Sequence, residues 1–226
     1  MSNVLSLPDR IYVYEKPVRL WHWLNAAAIV ALMATGWLIA HPPLAGGGEA
    51  SGHFLMGYIR FAHFSAGYIL AIGLIGRAYW ALVGNRYARE LFAPAVHDPR
   101  WWSGLWHELL WYAFLVQEPR KHAGHNPLAG LAMFLFYVLG GLFMIASGFA
   151  LYGEGAGGWA ATAFGWLLPA LGGSQQVHSL HHLGMWYLLV FTLTHIYVAV
   201  REQHLSRQTV ASTMVDGWRV WKDDRP

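Results

Sequence analysis

Four long apolar stretches constrain the fold of this chain more than any other feature of its sequence. A bilayer core of about 30 Å is crossed by roughly 20 residues of α-helix, because each residue adds about 1.5 Å along the axis. All four stretches reach that length, and they carry almost no charge. The sequence therefore predicts an all-α membrane protein, a four-transmembrane-helix bundle with spans at about 18–40, 59–83, 128–151 and 178–200.

The composition supports a single integral-membrane domain over residues 1–226. Only 12% of the residues are charged, whereas a soluble domain carries about 25%. The net charge of +3 comes from arginines beside apolar segments, so it indicates membrane topology and no nucleic-acid partner. The sequence has no cysteine, which excludes disulfides, cysteine-bound iron–sulfur clusters and covalently attached c-type haem. Any haem is therefore held non-covalently.

A fifth apolar stretch, at about 101–116, is too short to span a bilayer. It begins with two tryptophans and contains His107 and Glu108. We predict a short helix lying at the membrane interface within the central loop. A partly buried re-entrant segment is the alternative.

Lysine and arginine are distributed unevenly among the segments between the spans. Segments 41–57 and 152–177 contain none. The positive residues are Arg10, Lys16 and Arg19 before the first span, Arg86, Arg89, Arg100, Arg120 and Lys121 in the central loop, and Arg201, Arg207, Arg219, Lys222 and Arg225 in the tail. The positive-inside rule then predicts that both termini and the central loop are cytoplasmic. Residues 1–18 lack the apolar core of a cleavable signal, so we expect the first span to be retained.

Six of the 13 histidines fall within the predicted spans, and the four at positions 22, 63, 181 and 195 are the candidates for a site. Ionisable residues inside a membrane are costly and usually functional. Because successive helices alternate in direction, His63 and His181 are expected near the outer surface, and His22 and His195 near the inner surface. Matching by depth gives an outer pair, His63 with His181, and an inner pair, His22 with His195.

The fourth span supports two stacked sites. His181 and His195 are fourteen residues apart, so their side chains point within about 40° of each other and lie about 21 Å apart along the axis. His178 and His182 point roughly 100° and 140° away from His195. We therefore expect those two histidines outside the ligand set.

Two separated imidazole pairs suit the axial ligation of two b-type haems. A zinc site would instead require three or four clustered ligands, often including carboxylates or thiolates. The predicted cofactors are two haem b groups, with the four histidines as iron ligands. An axial histidine usually donates its other ring N–H to a carbonyl or a hydroxyl, and Ser65, Thr192 and Thr194 are candidates for that role.

Two motifs resemble signatures of one family, the cytochrome b subunit of membrane-bound nickel–iron uptake hydrogenases. The first is R-L-W-H-W-L from Arg19 to Leu24, with Thr35-Gly36 at the end of that span. The second is H-S-L-H-H-L-G-M-W, which continues to Phe191 and His195. The stretches MGYIRFAHFSAG and YWALVGNRYARELF are also similar, so the resemblance covers nearly the whole chain.

The resemblance implies a membrane anchor and electron-transfer subunit that lacks the hydrogen-activating site, because nickel–iron chemistry needs cysteine ligands. Such subunits take electrons from the iron–sulfur small subunit, which joins the large nickel–iron subunit, and pass them through haem to quinone. The implied location is the bacterial cytoplasmic (inner) membrane, with the hydrogenase on the periplasmic side. We expect quinone reduction near the inner pair, where Arg19, Asn25, Arg201, Glu202 and His204 cluster. Arg19 and Arg201 are equally explained as partners of haem propionates or as residues at the inner surface.

Three alternatives remain at this point. A cytochrome b subunit of a formate dehydrogenase-like complex has a similar four-helix architecture. A His-lined metal transporter and a structural anchor that has lost its haem belong to other functional classes. A reduced-minus-oxidised optical spectrum distinguishes the haem protein from the last two.

Overall fold

The computed structural model describes residues 10–43, 52 and 54–221. A π-helical segment, Met133–Leu139, joins two of its helices. The helices and strands in chain order are β1 Arg10–Tyr12, α1 Lys16–Ala40, α2 Leu55–Val83, α3 Arg86–Arg89, α4 Pro99–Tyr112, α5 Pro127–Ala132, α6 Gly140–Ala156, α7 Gly158–Phe164, α8 Leu167–Ala170, α9 Ser174–Leu205, α10 Thr213–Asp216 and β2 Trp218–Val220.

Among the described residues, four helical stretches are long and apolar enough to cross a membrane, namely α1, α2, the continuous stretch Pro127–Ala156 and α9. Their most apolar windows have mean hydropathies of 1.5 to 2.3, yet at most 33% of the residues in any window are buried. Large apolar side chains such as Ile75 and Leu82 are 70% and 75% exposed. Such surfaces favour lipid over water. The predicted fold class, a four-helix membrane protein, is confirmed.

These helices extend beyond the apolar stretches that predicted them. Helix α2 begins at Leu55 and not at 59, and α9 covers Ser174–Leu205 and not 178–200. The reason is physical, since helical backbone hydrogen bonding continues past the residues that form the apolar core of a span.

The short helix predicted at 101–116 is present as α4, displaced towards the N-terminus. Asp98 caps it by accepting a hydrogen bond from the Arg100 backbone N–H, and Pro99 occupies its first position. The chain leaves the helix through Phe114, which has a left-handed backbone with φ of 60°. Its position at the membrane interface stays a prediction.

Contacts along the chain define two compact units, which we name for the histidines they contain. The His22 unit comprises residues 1–22, 77–135 and 192–226, and the His63 unit comprises residues 23–76 and 136–191. All four membrane-spanning stretches contribute residues to both units.

The His22 unit contains a small ordered core beside its helices. Strands β1 and β2 pair antiparallel. Gly217, with φ of 90°, accepts hydrogen bonds from the Val13 and Tyr14 backbone N–H groups, and a Cβ at this position would lie 2.6 Å from the Tyr14 carbonyl oxygen. Only glycine fits such a turn. The buried residues that pack together here are Val13, Tyr14, Val18, Tyr87 and Ala88.

In the His63 unit, the predicted outer loop 152–177 is largely helical. Helices α7 and α8 pack against α6, and a Cβ at Gly153 would collide with the backbone of Ala161. The ring of Phe149 lies 5.0 Å from that of Trp159 and 5.5 Å from that of Phe164, between ring centres. Residues 44–51 and 53 of the other predicted outer loop, 41–57, lie outside the described residues.

Candidate functional site

The first histidine pair lies within the His63 unit. His63 is on α2 and His181 is on α9. Their ring centres lie 6.4 Å apart, with the ring planes at 71°. Both residues are partly buried.

Each imidazole of this pair contacts one hydroxyl group from another helix. Thr35 Oγ1 on α1 lies 2.9 Å from His63 Nδ1. Ser147 Oγ on α6 lies 2.8 Å from His181 Nδ1. These contacts hold the Nδ1 atom of each imidazole against a hydroxyl group. The Nε2 atom of each ring faces away from that hydroxyl.

A glycine follows each of the two hydroxyl residues and lies against the same ring. A Cβ at Gly36 would lie 3.4 Å from His63 Cε1, and a Cβ at Gly148 would lie 3.2 Å from His181 Cε1. The absence of a side chain at both positions lets α1 and α6 approach the imidazoles closely.

The second pair lies within the His22 unit. His22 is on α1 and His195 is on α9, and their ring centres lie 6.3 Å apart with the planes at 53°. Both rings are partly buried. Each predicted pair is therefore brought together at nearly the same spacing, although ligation of haem iron by these residues stays a prediction.

This spacing fits two imidazoles bound to opposite sides of one iron. A metal-bound imidazole nitrogen lies about 2.0 Å from the metal, and the ring centre lies about 1.15 Å further, so two opposed rings have centres about 6.3 Å apart. The observed separations are 6.3 and 6.4 Å. Within the described ranges, no group of three or more His, Cys, Asp or Glu side chains is arranged to hold a metal ion. The spacing of each pair is therefore compatible with two imidazoles on opposite sides of one haem iron.

Two apolar cavities lie on either side of α9 next to the residues that follow His181. The first, of about 280 Å³, is lined by Met33, Trp37, Met185, Trp186 and Leu189. The second, of about 310 Å³, is lined by Gly140, Phe143, Met144, Leu180, Leu183, Gly184 and Tyr187. Neither His63 nor His181 is among the residues that line these two cavities.

Comparison with known proteins assigns the family. Residues 13–217 match the family model described as prokaryotic cytochrome b561. The chain belongs to this family. The resemblance seen in the helix motifs is thereby confirmed.

The relatives of this b561-family chain carry consistent names. It is 59% identical to the probable Ni/Fe-hydrogenase B-type cytochrome subunit of Azotobacter vinelandii, over 96% of this chain and 91% of the relative. It is 56% identical to the protein of the same name from Cupriavidus necator, over 94% of this chain and 88% of the relative. It is 46% identical to the probable Ni/Fe-hydrogenase 1 B-type cytochrome subunit of Escherichia coli K12, over 93% of this chain and 91% of the relative.

Arg201, which the sequence suggested as a partner of a haem propionate, is engaged by its own neighbours. Its Nη1 donates to Glu202 Oε1 at 2.7 Å, and Trp111 Nε1 donates to the same oxygen at 2.9 Å. The guanidinium carbon lies 4.9–5.0 Å from the ring centres of Trp111, Tyr112 and Phe114. In this family member Arg201 is thus a buried, paired cation within an aromatic cage.

The other residues predicted to cluster at the inner surface are distributed between the two units. Arg19 donates a hydrogen bond to the Val215 carbonyl, and His204 is exposed, both in the His22 unit. Asn25 is buried in the His63 unit, where a Cβ at Gly73 would lie 2.5 Å from Asn25 Nδ2.

His178 contacts its own helix α9, whereas His182 contacts α9 and also His41, whose ring centre lies 6.2 Å from that of His182. His178 Nδ1 lies 3.0 Å from the Ser174 carbonyl oxygen. His182 Nε2 accepts a hydrogen bond from Trp186 Nε1 at 3.2 Å. The exclusion of His178 and His182 from the ligand set stays a prediction.

Sequence reasoning missed the two hydroxyl partners of the His63 unit. It pointed to Ser65, near His63 on the same helix, whereas the observed partners are Thr35 and Ser147 on the neighbouring helices α1 and α6. The available signal was the hydroxyl–glycine dipeptide that recurs in the first and third spans, Thr35-Gly36 and Ser147-Gly148.

Proposed function

We propose that this chain is the membrane anchor and electron-transfer subunit of a nickel–iron hydrogenase. In this role electrons pass from the iron–sulfur small subunit to the quinone pool, by way of two b haems held by this chain. The observation that supports it most directly is the pair of imidazole couples with ring centres 6.3 and 6.4 Å apart. The names of its relatives at 46–59% identity support the hydrogenase assignment.

The four histidines have one task each in this proposal. His63 and His181 hold one haem, and His22 and His195 hold the other, in each case through a neutral imidazole nitrogen. A bound b haem supplies reversible one-electron transfer. The helices carry the histidines at fixed positions, and the apolar side chains around them exclude water and lower the local dielectric.

The proposed orientation puts the hydrogenase on the periplasmic side of a bacterial inner membrane. Segments 41–57 and 152–177 carry no lysine or arginine, whereas the termini and the central loop carry many. We expect the small subunit, and through it the large nickel–iron subunit, to dock over the uncharged segments. Trp166 is 63% exposed on the second of them and provides an apolar contact for a partner.

Quinone reduction is proposed near His22 and His195. Quinone reduction takes up protons, so its site needs ionisable groups, and the His22 unit, which contains this pair, also contains buried ones. Glu108 is 2% exposed and lies 3.1 Å from His122 Nε2, and Arg201 pairs with Glu202. Quinone is lipid-soluble, so its entrance is expected to open to the bilayer.

The alternatives from the sequence have less support. A metal transporter would present clustered ligands along a path, and the described residues contain no group of three or more such ligands. The relatives are named as hydrogenase subunits, which favours hydrogenase over a formate dehydrogenase-like complex.

A haem count and an optical spectrum test the cofactor. The purified full-length protein should give two haems per chain by pyridine haemochrome and a low-spin b-type reduced-minus-oxidised spectrum. A haem-free protein that folds normally would contradict the proposal. It would favour the metal transporter or the structural anchor that has lost its haem.

Electron flow tests the proposed direction. In membranes that contain the assembled hydrogenase, His195→Ala should still allow hydrogen to reduce the remaining haem but should abolish quinone reduction. His178→Ala, an exposed change on the same helix, is the matched control and should behave as wild type. Normal quinone reduction by the His195 variant would move the quinone site to the other pair.

Cross-linking tests the docking face. A photoreactive residue at position 166 should cross-link to the small subunit, and the same residue at position 215, which is 64% exposed in the His22 unit, should not. The opposite pattern would reverse the orientation.

A further inference from the structure

The hydroxyl groups of Thr35 and Ser147 have no hydrogen left to give to a histidine. A hydroxyl carries one hydrogen and two lone pairs. Thr35 Oγ1 donates to the Ala31 carbonyl at 2.6 Å, and Ser147 Oγ donates to the Phe143 carbonyl at 2.7 Å. Both are the ordinary bond from a helical hydroxyl to the carbonyl four residues earlier.

This use of the hydroxyl hydrogen determines which partner donates in the contact with histidine. With the hydrogen directed at the carbonyl, the lone pairs of Thr35 Oγ1 face His63 Nδ1 at 2.9 Å, and those of Ser147 Oγ face His181 Nδ1 at 2.8 Å. Two lone pairs facing each other would repel, so each contact is a hydrogen bond only if Nδ1 carries the proton. Each imidazole is then the Nδ1–H tautomer with a free lone pair on Nε2.

The Nδ1–H tautomer is the form that binds a metal through Nε2. It is the less populated neutral form of histidine in water, so a structure that imposes it prepares the ring for ligation. The arrangement is the same in both cases: a hydroxyl residue is followed by glycine, and the hydroxyl accepts a hydrogen bond from Nδ1. A Cβ built at the glycine would lie 3.2–3.4 Å from Cε1 of the same imidazole.

We propose that Thr35 and Ser147 are positioning residues that fix His63 and His181 as Nδ1–H tautomers and thereby tune the haem bound between them, an inference that rests on the proposed haem-binding function. An N–H that donates to an acceptor makes the imidazole a stronger electron donor to the iron. Stronger donation stabilises the ferric form more than the ferrous form. The two hydroxyls therefore lower the reduction potential of this haem and leave the other haem unaffected.

The tautomer is tested first on full-length protein prepared without haem, with ¹⁵N-labelled histidine, at a pH of about 8 where the imidazoles are neutral. We expect His63 and His181 to show protonated Nδ1 and unprotonated Nε2, with signals assigned by their loss in His63→Ala and His181→Ala. Thr35→Val, which keeps the shape and removes the hydroxyl, should shift His63 towards the Nε2–H form. Thr35→Ser, which keeps the hydroxyl, should not.

The same test applies to the second histidine, with Ser147→Ala removing the hydroxyl and Ser147→Thr keeping it. Nε2–H tautomers in the wild type, or Nδ1–H tautomers that survive both Thr35→Val and Ser147→Ala, would overturn the proposal. Because this measurement uses haem-free protein, it determines the tautomers even if the proposed haem site is wrong.

The second test is an optical redox titration of the haem-loaded protein. Thr35→Val and Ser147→Ala should each favour reduction of the haem held by His63 and His181, by about three- to tenfold in the equilibrium constant, or about 28 to 59 mV for one electron. The hydroxyl-retaining variants should restore the wild-type potential, and the other haem should not shift. Equal shifts in both haems, or in all four variants, would indicate a general structural disturbance and contradict the proposal.

Loss of the haem itself distinguishes failure of the ligation from failure of the hydroxyl inference. If His63→Ala and His181→Ala retain both haems, the proposed haem ligation fails whatever the hydroxyl variants do. If those histidine variants lose one haem and the hydroxyl variants leave its potential unchanged, the ligation stands and the hydroxyl inference fails.

Discussion

The two units of this protein hold matched histidine pairs in opposite electrostatic settings. Within its described residues, the His63 unit has only Arg60 and Glu154 as formally charged side chains, and both are exposed. Of the His22 unit's described residues, five charged side chains are buried, each 8% exposed or less: Arg77, Glu108, Arg201, Glu202 and Arg219.

We propose that the difference reflects a different task for each unit. Buried charges are costly unless they are paired, so a unit that retains them has a use for them. Electron transfer alone requires only a rigid setting without ionisable groups, and the residues observed around His63 and His181 are uncharged hydroxyls and glycines. Proton uptake with quinone reduction requires ionisable groups, and the buried set of the His22 unit supplies them. This contrast supports electron entry in one unit and quinone reduction in the other.

The largest stability effect is expected from breaking the buried ion pair of the His22 unit. Arg201→Met leaves the Glu202 carboxylate, 7% exposed, without its cation. Removal of one partner from a buried pair costs about 3–5 kcal/mol. Arg60→Met, at an exposed position of the His63 unit, is the matched control and should change the free energy of unfolding by about 0.5 kcal/mol or less. Denaturant unfolding in detergent measures both.

A double change sharpens this result. Arg201→Met with Glu202→Leu removes both charges and should recover part of the lost stability, because an apolar replacement of a buried pair is often tolerated. A control variant that destabilises as much as Arg201→Met would mean that buried charge does not distinguish the units.

A smaller effect is expected at high pH, again in the His22 unit. Burial raises the pKa of Tyr14 to about 12, compared with about 10 for an exposed tyrosine. The stability that follows from this raised pKa is fully present below pH 10 and is lost as the pH rises towards 12, by about 2–3 kcal/mol in total. The free energy of unfolding of the wild type minus that of Tyr14→Phe, measured across this range, should fall with pH. A constant difference would show that the phenol is not shielded.

The smallest effect is expected from a single methyl group in the His63 unit. A Cβ at Gly148 would lie 3.2 Å from His181 Cε1, closer than ordinary contact, whereas a Cβ at Gly36 would lie 3.4 Å from His63 Cε1. Gly148→Ala should therefore tilt the His181 ring and change the electron paramagnetic resonance g-values of the haem bound there. Gly36→Ala should change them less, and neither should affect the other haem. A larger shift from Gly36→Ala would contradict the geometry.

The sequence predicted the four spans because their length and apolarity follow directly from the bilayer. It also predicted the histidine pairs, since depth and helical facing can be counted along a chain. It could not predict Thr35 and Ser147 as partners, because a contact between helices depends on how each helix is rotated against its neighbour. The β1–β2 pairing was missed for another reason: each strand has three residues, too few for an alternating pattern.

Each histidine pair is proposed to hold one b haem, and the haem content and optical spectrum of four single variants test this most directly. His63→Ala and His181→Ala should each lose the same spectral component and leave one haem per chain. His22→Ala and His195→Ala should each lose the other component and leave the first intact. Loss of the same component in His63→Ala and His195→Ala, or persistence of both haems in any of the four variants, would contradict this pairing.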